Sequence, residues 1–316
     1  MISTRSQMPA GPRLPRRDVL IVFGGLLLVM LLGALDQTIV ATALPTIVGE
    51  LGGVERLAWV VTAYLLTQTV VTPIYGKLGD LYGRKVVLQA AVLIFVAGSA
   101  LCGLSATMEQ LILFRGFQGL GGGGLIVTTQ AVVGDIVSPR ERGRYQGYIA
   151  AVFAASSLGG PVLGGLLTEY LDWSLIFWIN LPLGIAAFAM SFVLLRRVPY
   201  RPRPRQLDLV GAGLMMAASV ALLLALSWGG RRYAWDSAEI GALAAGSVLL
   251  WGLFGWRLVK AADPFLPLTV LGNPVVRSAA LAGSCCMGTL VGMTIFVPLY
   301  FEVVHHLTAS QSGMAL

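Results

Sequence analysis

Apolar runs of about 20 residues recur along the chain, separated by short patches that hold nearly all of its charge. A run of that length is what an α-helix needs to cross about 30 Å of hydrocarbon. Most of these runs have no polar face, which excludes the amphipathic helices of a soluble bundle. The pattern predicts nine spans, over residues 19–48, 58–76, 86–105, 109–134, 145–168, 175–195, 208–228, 238–257 and 275–301. Residues 309–316 read as the opening of a tenth. The expected fold class is therefore an all-α polytopic membrane protein.

Composition strengthens that reading. Hydrophobic residues make up 56% of the 316 and charged residues 12%, about half the charge of an ordinary soluble domain. The net charge of +7 would suit a nucleic-acid partner, but most of the basic residues flank spans, so none is expected. Cys102, Cys285 and Cys286 all fall within apolar runs and form no disulfide framework. The first apolar run is too long for a cleavable signal and lacks a small-residue cleavage site.

Alternate connections differ sharply in Lys and Arg. One set, from Arg5 through Arg84, Arg142 and Arg205 to Arg277, holds eighteen; the other holds only Arg56, Arg231 and Arg232, and Arg115 lies within a span. Basic loops stay in the cytoplasm, so the N-terminus is expected there. The stretch RRVPYRPRPRQLD, from Arg196 to Asp208, is too rich in Pro and Arg to pack as a helix. It marks the best boundary. The expected parts are a tail over 1–18, a six-helix bundle over 19–195, a basic loop over 196–207, two further helices over 208–257, and the start of another bundle over 258–316.

Two ionisable residues lie well inside spans, Asp36 and Arg115. A charge at mid-helix costs about 2.5–3.5 kcal/mol, so each needs a partner or a watery cavity. At 1.5 Å per residue, Arg115 lies roughly 10 Å below the outer surface and Asp36 roughly 13 Å. The two can thus share one cavity. There Asp36 could bind and release a proton, with burial and the arginine pulling its affinity in opposite directions. A static ion pair joining two helices is the plainer reading.

The stretch GKLGDLYGRK, from Gly76 to Lys85, has glycines that permit a tight turn between spans two and three. Asp135 sits at the end of span four, where the helix macrodipole disfavours negative charge. Arg84, on the same membrane face, could join Asp80 and Asp135 in a breakable latch. The alternative is that Lys77, Arg84 and Lys85 only anchor topology. In span five, Ser156, Gly160 and Gly164 recur at intervals of four, with Pro161 alongside. Small residues at that spacing let helices approach closely, and the proline can kink the span. Gly121 to Gly124 strip side-chain bulk from span four in the same way. His305 and His306 are adjacent, so on a helix they point in different directions. Only Glu302 accompanies them, and metal binding is not expected.

These stretches together resemble the major facilitator superfamily, and specifically its drug:proton antiporters of fourteen spans. LDQTIVATALP (35–45) resembles the first-span motif, and GKLGDLYGR (76–84) resembles the signature loop. RGFQG (115–119), with Gln118 and Gly119, resembles the fourth-span motif. GPVLGG (160–165), ending in Gly164 and Gly165, resembles the antiporter motif, and FWINLPLG (177–184) is a further hallmark. The resemblance implies proton coupling and substrate response at Asp36 and Arg115. It implies a cytoplasmic charge relay of Gly76, Asp80, Gly83, Arg84 and Asp135, and an exporter-defining helix shaped by Gly160 and Pro161. Spans seven and eight would be a pair inserted between two six-helix halves. The implied partners are protons, the lipid bilayer and a small lipophilic or cationic substrate, with no cofactor and no enzymatic activity. The implied place is the cell inner membrane.

Two departures stand out. Ser156 replaces a glycine usual in the antiporter motif, a mild change. More important, nine spans are present where the family has fourteen, so the match covers the first half, the inserted pair and the opening of the second half. Alternating access rocks one half against the other. The expectation is a fragment of a longer exporter or a truncated product inactive alone; the rivals are a non-transporting membrane protein and an importer of the same fold.

Overall fold

The computed structural model describes residues 15–138, 140–197, 208–261, 263–266 and 268–305. Its helices are α1 (Arg16–Leu51), α2 (Leu57–Tyr82), α3 (Arg84–Gly103), α4 (Met108–Ile136), α5 (Arg142–Tyr170), α6 (Leu175–Trp178), α7 (Asn180–Leu194), α8 (Leu209–Trp228), α9 (Ala238–Lys260), α10 (Leu268–Leu271) and α11 (Pro274–His305). Among the described residues, eight stretches are helical and long and apolar enough to cross a membrane. The ninth expected span, 275–301, lies within α11. The tenth, most of the basic loop at 196–207, and His306 lie outside the described residues.

Three local differences from the expected spans have physical causes. The Gly76–Lys85 stretch is mostly helix: α2 runs on to Tyr82, and the reversal is made by Gly83 alone at φ 93°, a region glycine enters without a Cβ penalty. The sixth span is interrupted at Ile179. Pro182 lacks an N–H, so the Trp178 carbonyl loses its helical partner and the proline ring crowds it. At the start of α4, the Thr107 hydroxyl accepts from Gln110 N, and Gln110 Oε1 accepts from Ala106 N at 2.9 Å. Side-chain caps of this kind satisfy orphan amides at a helix start.

The chain divides into two compact units, Met1–Phe254 and Gly255–Leu316. In the first, α4 packs along α2 and α3, α1 packs along α5 and α7, and α8 packs on α2. Glycines allow the closest approaches. A β-carbon at Gly98 would lie 2.6 Å from Gln118 Cα, and one at Gly121 would strike the Phe95 backbone. In the second unit, the described elements include α10 and α11, which touch each other.

Two apolar clusters fill the first unit. One holds Val29, Leu32, Leu88, Phe95, Leu125 and Val132 among others. The other includes Leu35, Ile39, Val60, Leu111, Ile176 and Phe177. Close to where the two clusters adjoin in sequence, four helices carry buried polar side chains: Asp36 on α1, Ser99 on α3, Arg115 and Gln118 on α4, and Asn180 on α7. These form a polar layer within a mostly apolar interior. On the outside, α5 carries Leu158, Val162 and Leu166 at intervals of four, all exposed, a stripe suited to lipid or to another apolar surface.

Candidate functional site

Asp36 and Arg115 are in direct contact. Arg115 Nη1 donates to Asp36 Oδ2 at 2.8 Å, and the two side chains are 2% and 0% exposed. Such a pair survives burial only with further hydrogen bonds to its donors and acceptors, and several are made here. Arg115 Nη1 also donates to Gln118 Oε1 at 2.7 Å, and Nε reaches the Val60 carbonyl at 3.3 Å. The Tyr64 ring lies 4.1 Å from the guanidinium carbon, within range for a cation–π contact. The other Asp36 oxygen, Oδ1, accepts from Gln118 Nε2 and from Asn180 Nδ2, each at 2.8 Å.

The cage extends one shell further. Asn180 Nδ2 donates to Ser99 Oγ at 3.0 Å, Ser99 donates to the Phe177 carbonyl at 2.8 Å, and Cys102 Sγ lies 3.6 Å from Gln118 Oε1. Asn180 opens α7 just past the break in the sixth span, so Pro182 helps to aim it at Asp36. On one side, Arg115 lines a small surface hollow with Gln37, Val40, Val61, Tyr64 and Leu65. Asp36 itself does not line it.

A second charged group joins the ends of three helices. Arg84 donates to Asp80, to the Gly76 carbonyl at 3.2 Å, and from Nε to Asp135 Oδ2 at 3.3 Å. A β-carbon at Gly79 would meet Arg84 Nη1 at 2.6 Å, so that glycine makes room for the side chain. At the same end, Lys85 Nζ and Arg196 Cζ each lie 4.3 Å from the Phe192 ring centre.

The glycines of α5 divide in function. Gly160 and Gly164 press on α1, where β-carbons would run into Thr38 and Thr42. Thr38 Oγ1 also donates to the Ser156 carbonyl at 2.9 Å, linking the same two helices. A β-carbon at Gly165 would have nothing within 4 Å. Gly119 packs on Thr67 and Tyr64 of α2. The expected residues Asp36, Arg115 and Gln118 are thus brought together, as are Gly76, Asp80, Arg84 and Asp135. Sequence reasoning placed Asn180 in the hallmark run 177–184 without a role, and assigned no part to Ser99 or Tyr64, whose polarity within apolar runs does not by itself say what they face. Among the described residues no His, Cys, Asp and Glu cluster has the makings of a metal site.

The model of the Major Facilitator Superfamily matches residues 26–316. The chain belongs to that superfamily. An uncharacterised MFS-type transporter of Mycobacterium tuberculosis is 42% identical over 294 residues, covering 93% of this chain and 43% of the relative. The multidrug transporter protein MdtP of Bacillus subtilis is 41% identical, covering 94% and 54%. Multidrug resistance protein 3 of the same organism is 36% identical, covering 92% and 57%. This major facilitator chain therefore spans about half the length of the curated relatives it matches. Among solved structures, an auto-inhibited POT family peptide transporter superposes with a TM-score of 0.53 at 18% identity, over 78% of this chain and 53% of that one. That likeness concerns the fold alone.

Proposed function

We propose that this chain serves a proton-coupled antiporter that exports lipophilic or cationic compounds across the cell inner membrane, with its N-terminus in the cytoplasm. One observation carries the reading: Asp36 is a fully buried carboxylate, paired with Arg115, in a polar layer within a mostly apolar interior. An intramembrane carboxylate held this way is a natural site for proton uptake and release. Arg115 lines the neighbouring hollow and its partner Asp36 does not. A cationic compound arriving there meets the guanidinium first, and repulsion loosens its hold on the carboxylate. Inward proton movement supplies about 2.3 kcal/mol per 100 mV of membrane potential.

The names of the Bacillus relatives, multidrug transporter and multidrug resistance protein, support drug export, as does the resemblance of residues 160–165 to the antiporter motif. Arg84, with Asp80, Asp135 and the Gly76 carbonyl, would latch the cytoplasmic end while the site faces outward, and Gly83 would set the turn that aims it. Alternating access requires two bundles, so the activity is that of the whole transporter in which these residues act.

The deciding measurement is ethidium efflux from energised cells, with Asp36→Asn beside the parent. Efflux that collapses with an uncoupler and is absent from a well-inserted Asp36→Asn protein supports the proposal. Proton-driven efflux that persists in Asp36→Asn defeats it. Should the 316 residues alone move no ethidium, the same comparison in an assembly supplying a second bundle gives the answer.

A further inference from the structure

Resting on that reading of Asp36 as a proton carrier, we infer that Asn180 is the positioning residue that responds to the proton. Its amide donates to the ionised carboxylate and, after a half-turn about Cβ–Cγ, accepts from the neutral acid. An ionised carboxylate only accepts hydrogen bonds, whereas the protonated group must also donate one. In the structure every group touching the Asp36 oxygens is a donor: Arg115 Nη1 on Oδ2, and Gln118 Nε2 and Asn180 Nδ2 on Oδ1. The cage therefore fits the ionised form, and something must turn when a proton arrives.

Arg115 has donors only, so the proton goes to Oδ1, between the two amides. Gln118 is locked, because its Oε1 already accepts from Arg115 at 2.7 Å and from Cys102 at 3.6 Å. Reversing it would push an NH2 group against a guanidinium. Asn180 differs: it is fully buried, and its Oδ1 has no hydrogen-bond partner. A half-turn breaks no bond at that oxygen and brings it to the Asp36 hydroxyl. Ser99, now an acceptor from Asn180 and a donor to the Phe177 carbonyl, can then turn its own hydrogen toward the amide oxygen. The proton comes from water and returns there; the amide rotates and carries none. The titratable neighbours facing Asp36 are Arg115 from α4, Tyr64 from α2 and Cys102 from α3. Arg115 has only donors, Cys102 Sγ is engaged with Gln118 Oε1, and the Tyr64 ring lies against the Arg115 guanidinium, which holds Oδ2.

The Ser99–Phe177 bond connects this turn to the backbone. Phe177 lies in α6 and Asn180 opens α7, on either side of the break in the sixth span. Reorientation of the amide thus changes which hydrogen bonds hold the two short helices to α3.

Infrared titration of the purified chain in lipid nanodiscs tests the inference without any transport assay. The Asp36 acid band is the carbonyl stretch that Asp36→Asn removes. In Asn180→Leu, which has neither donor nor acceptor, the band should move to higher wavenumber. Its titration midpoint should move up by about one pH unit, since the bond lost from the charged form outweighs the one lost from the neutral form. Ser99→Ala should shift the midpoint the same way and by less, and remains informative if Asn180→Leu fails to fold. Asn180→Thr, whose hydroxyl both donates and accepts, should restore the wild-type midpoint. Wild-type band and midpoint in both Asn180→Leu and Ser99→Ala overturn the inference and leave Asn180 a packing residue. A wild-type chain with no titrating Asp36 band overturns instead the reading of Asp36 as carrier, and this inference with it.

Discussion

Arg115 holds four groups at once: the Asp36 carboxylate, the Gln118 amide, the Val60 carbonyl and the face of Tyr64. Only a planar, forked cation can do so, because a lysine ammonium is a compact point charge with neither a fork nor a stacking face. Arg115→Ala strands Asp36 in an apolar interior, and removing one partner of a buried pair costs about 3–5 kcal/mol. Thermal unfolding of the purified protein should register a loss of that size, and adding Asp36→Asn should recover much of it. Losses that simply add would mean the two residues are energetically independent. That Asp36 and Arg115 could meet was legible in the sequence, because helix rise puts them at a similar distance from the ends of their spans. The contacts of Asn180 and Ser99 were not, because a single Asn or Ser in an apolar run gives no sign of which way it faces.

Among the helices, the smallest side chains decide which surfaces meet. Gly160 and Gly164 lie one helical turn apart and share the face of α5 that touches α1, whereas Gly165 is rotated away from it. Gly164→Ala should therefore destabilise the protein by about 1–3 kcal/mol, as overpacking does. Gly165→Ala should be neutral or stabilising by up to about 1 kcal/mol, since alanine is the better helix former. Melting curves of the two variants in one detergent would separate them, and equal effects would contradict the observed packing of α5. In sequence the two glycines belong to one motif and look equivalent. Their difference is tertiary: it depends on where α1 lies.

Across the whole molecule, the Arg84 group differs in kind from the Asp36 cage. The side chains of Asp80 and Asp135 are 55% and 51% exposed, and exposed ion pairs contribute about 0–1 kcal/mol. A link that weak can open in every cycle. Arg84→Ala should accordingly lower stability by about 1 kcal/mol at most while reducing efflux several-fold; a larger loss of stability with unchanged efflux per folded molecule would make the group a structural tie. Orientation is tested on the same scale. With Cys285 and Cys286 replaced by serine, a membrane-impermeant maleimide applied to intact cells should label Ala234→Cys and spare Ser138→Cys. The reverse pattern would invert the topology inferred from the basic residues. The sequence alone determined most of the spans and the basic asymmetry, because length, hydropathy and charge act locally or through the membrane, which every segment meets alike. Tertiary structure alone decided that Asn180 and Gln118 join Arg115 on one carboxylate, and that Gly164 packs while Gly165 does not. Those facts depend on how each helix is rotated about its own axis, and that rotation is set by close packing against neighbours far away in the chain.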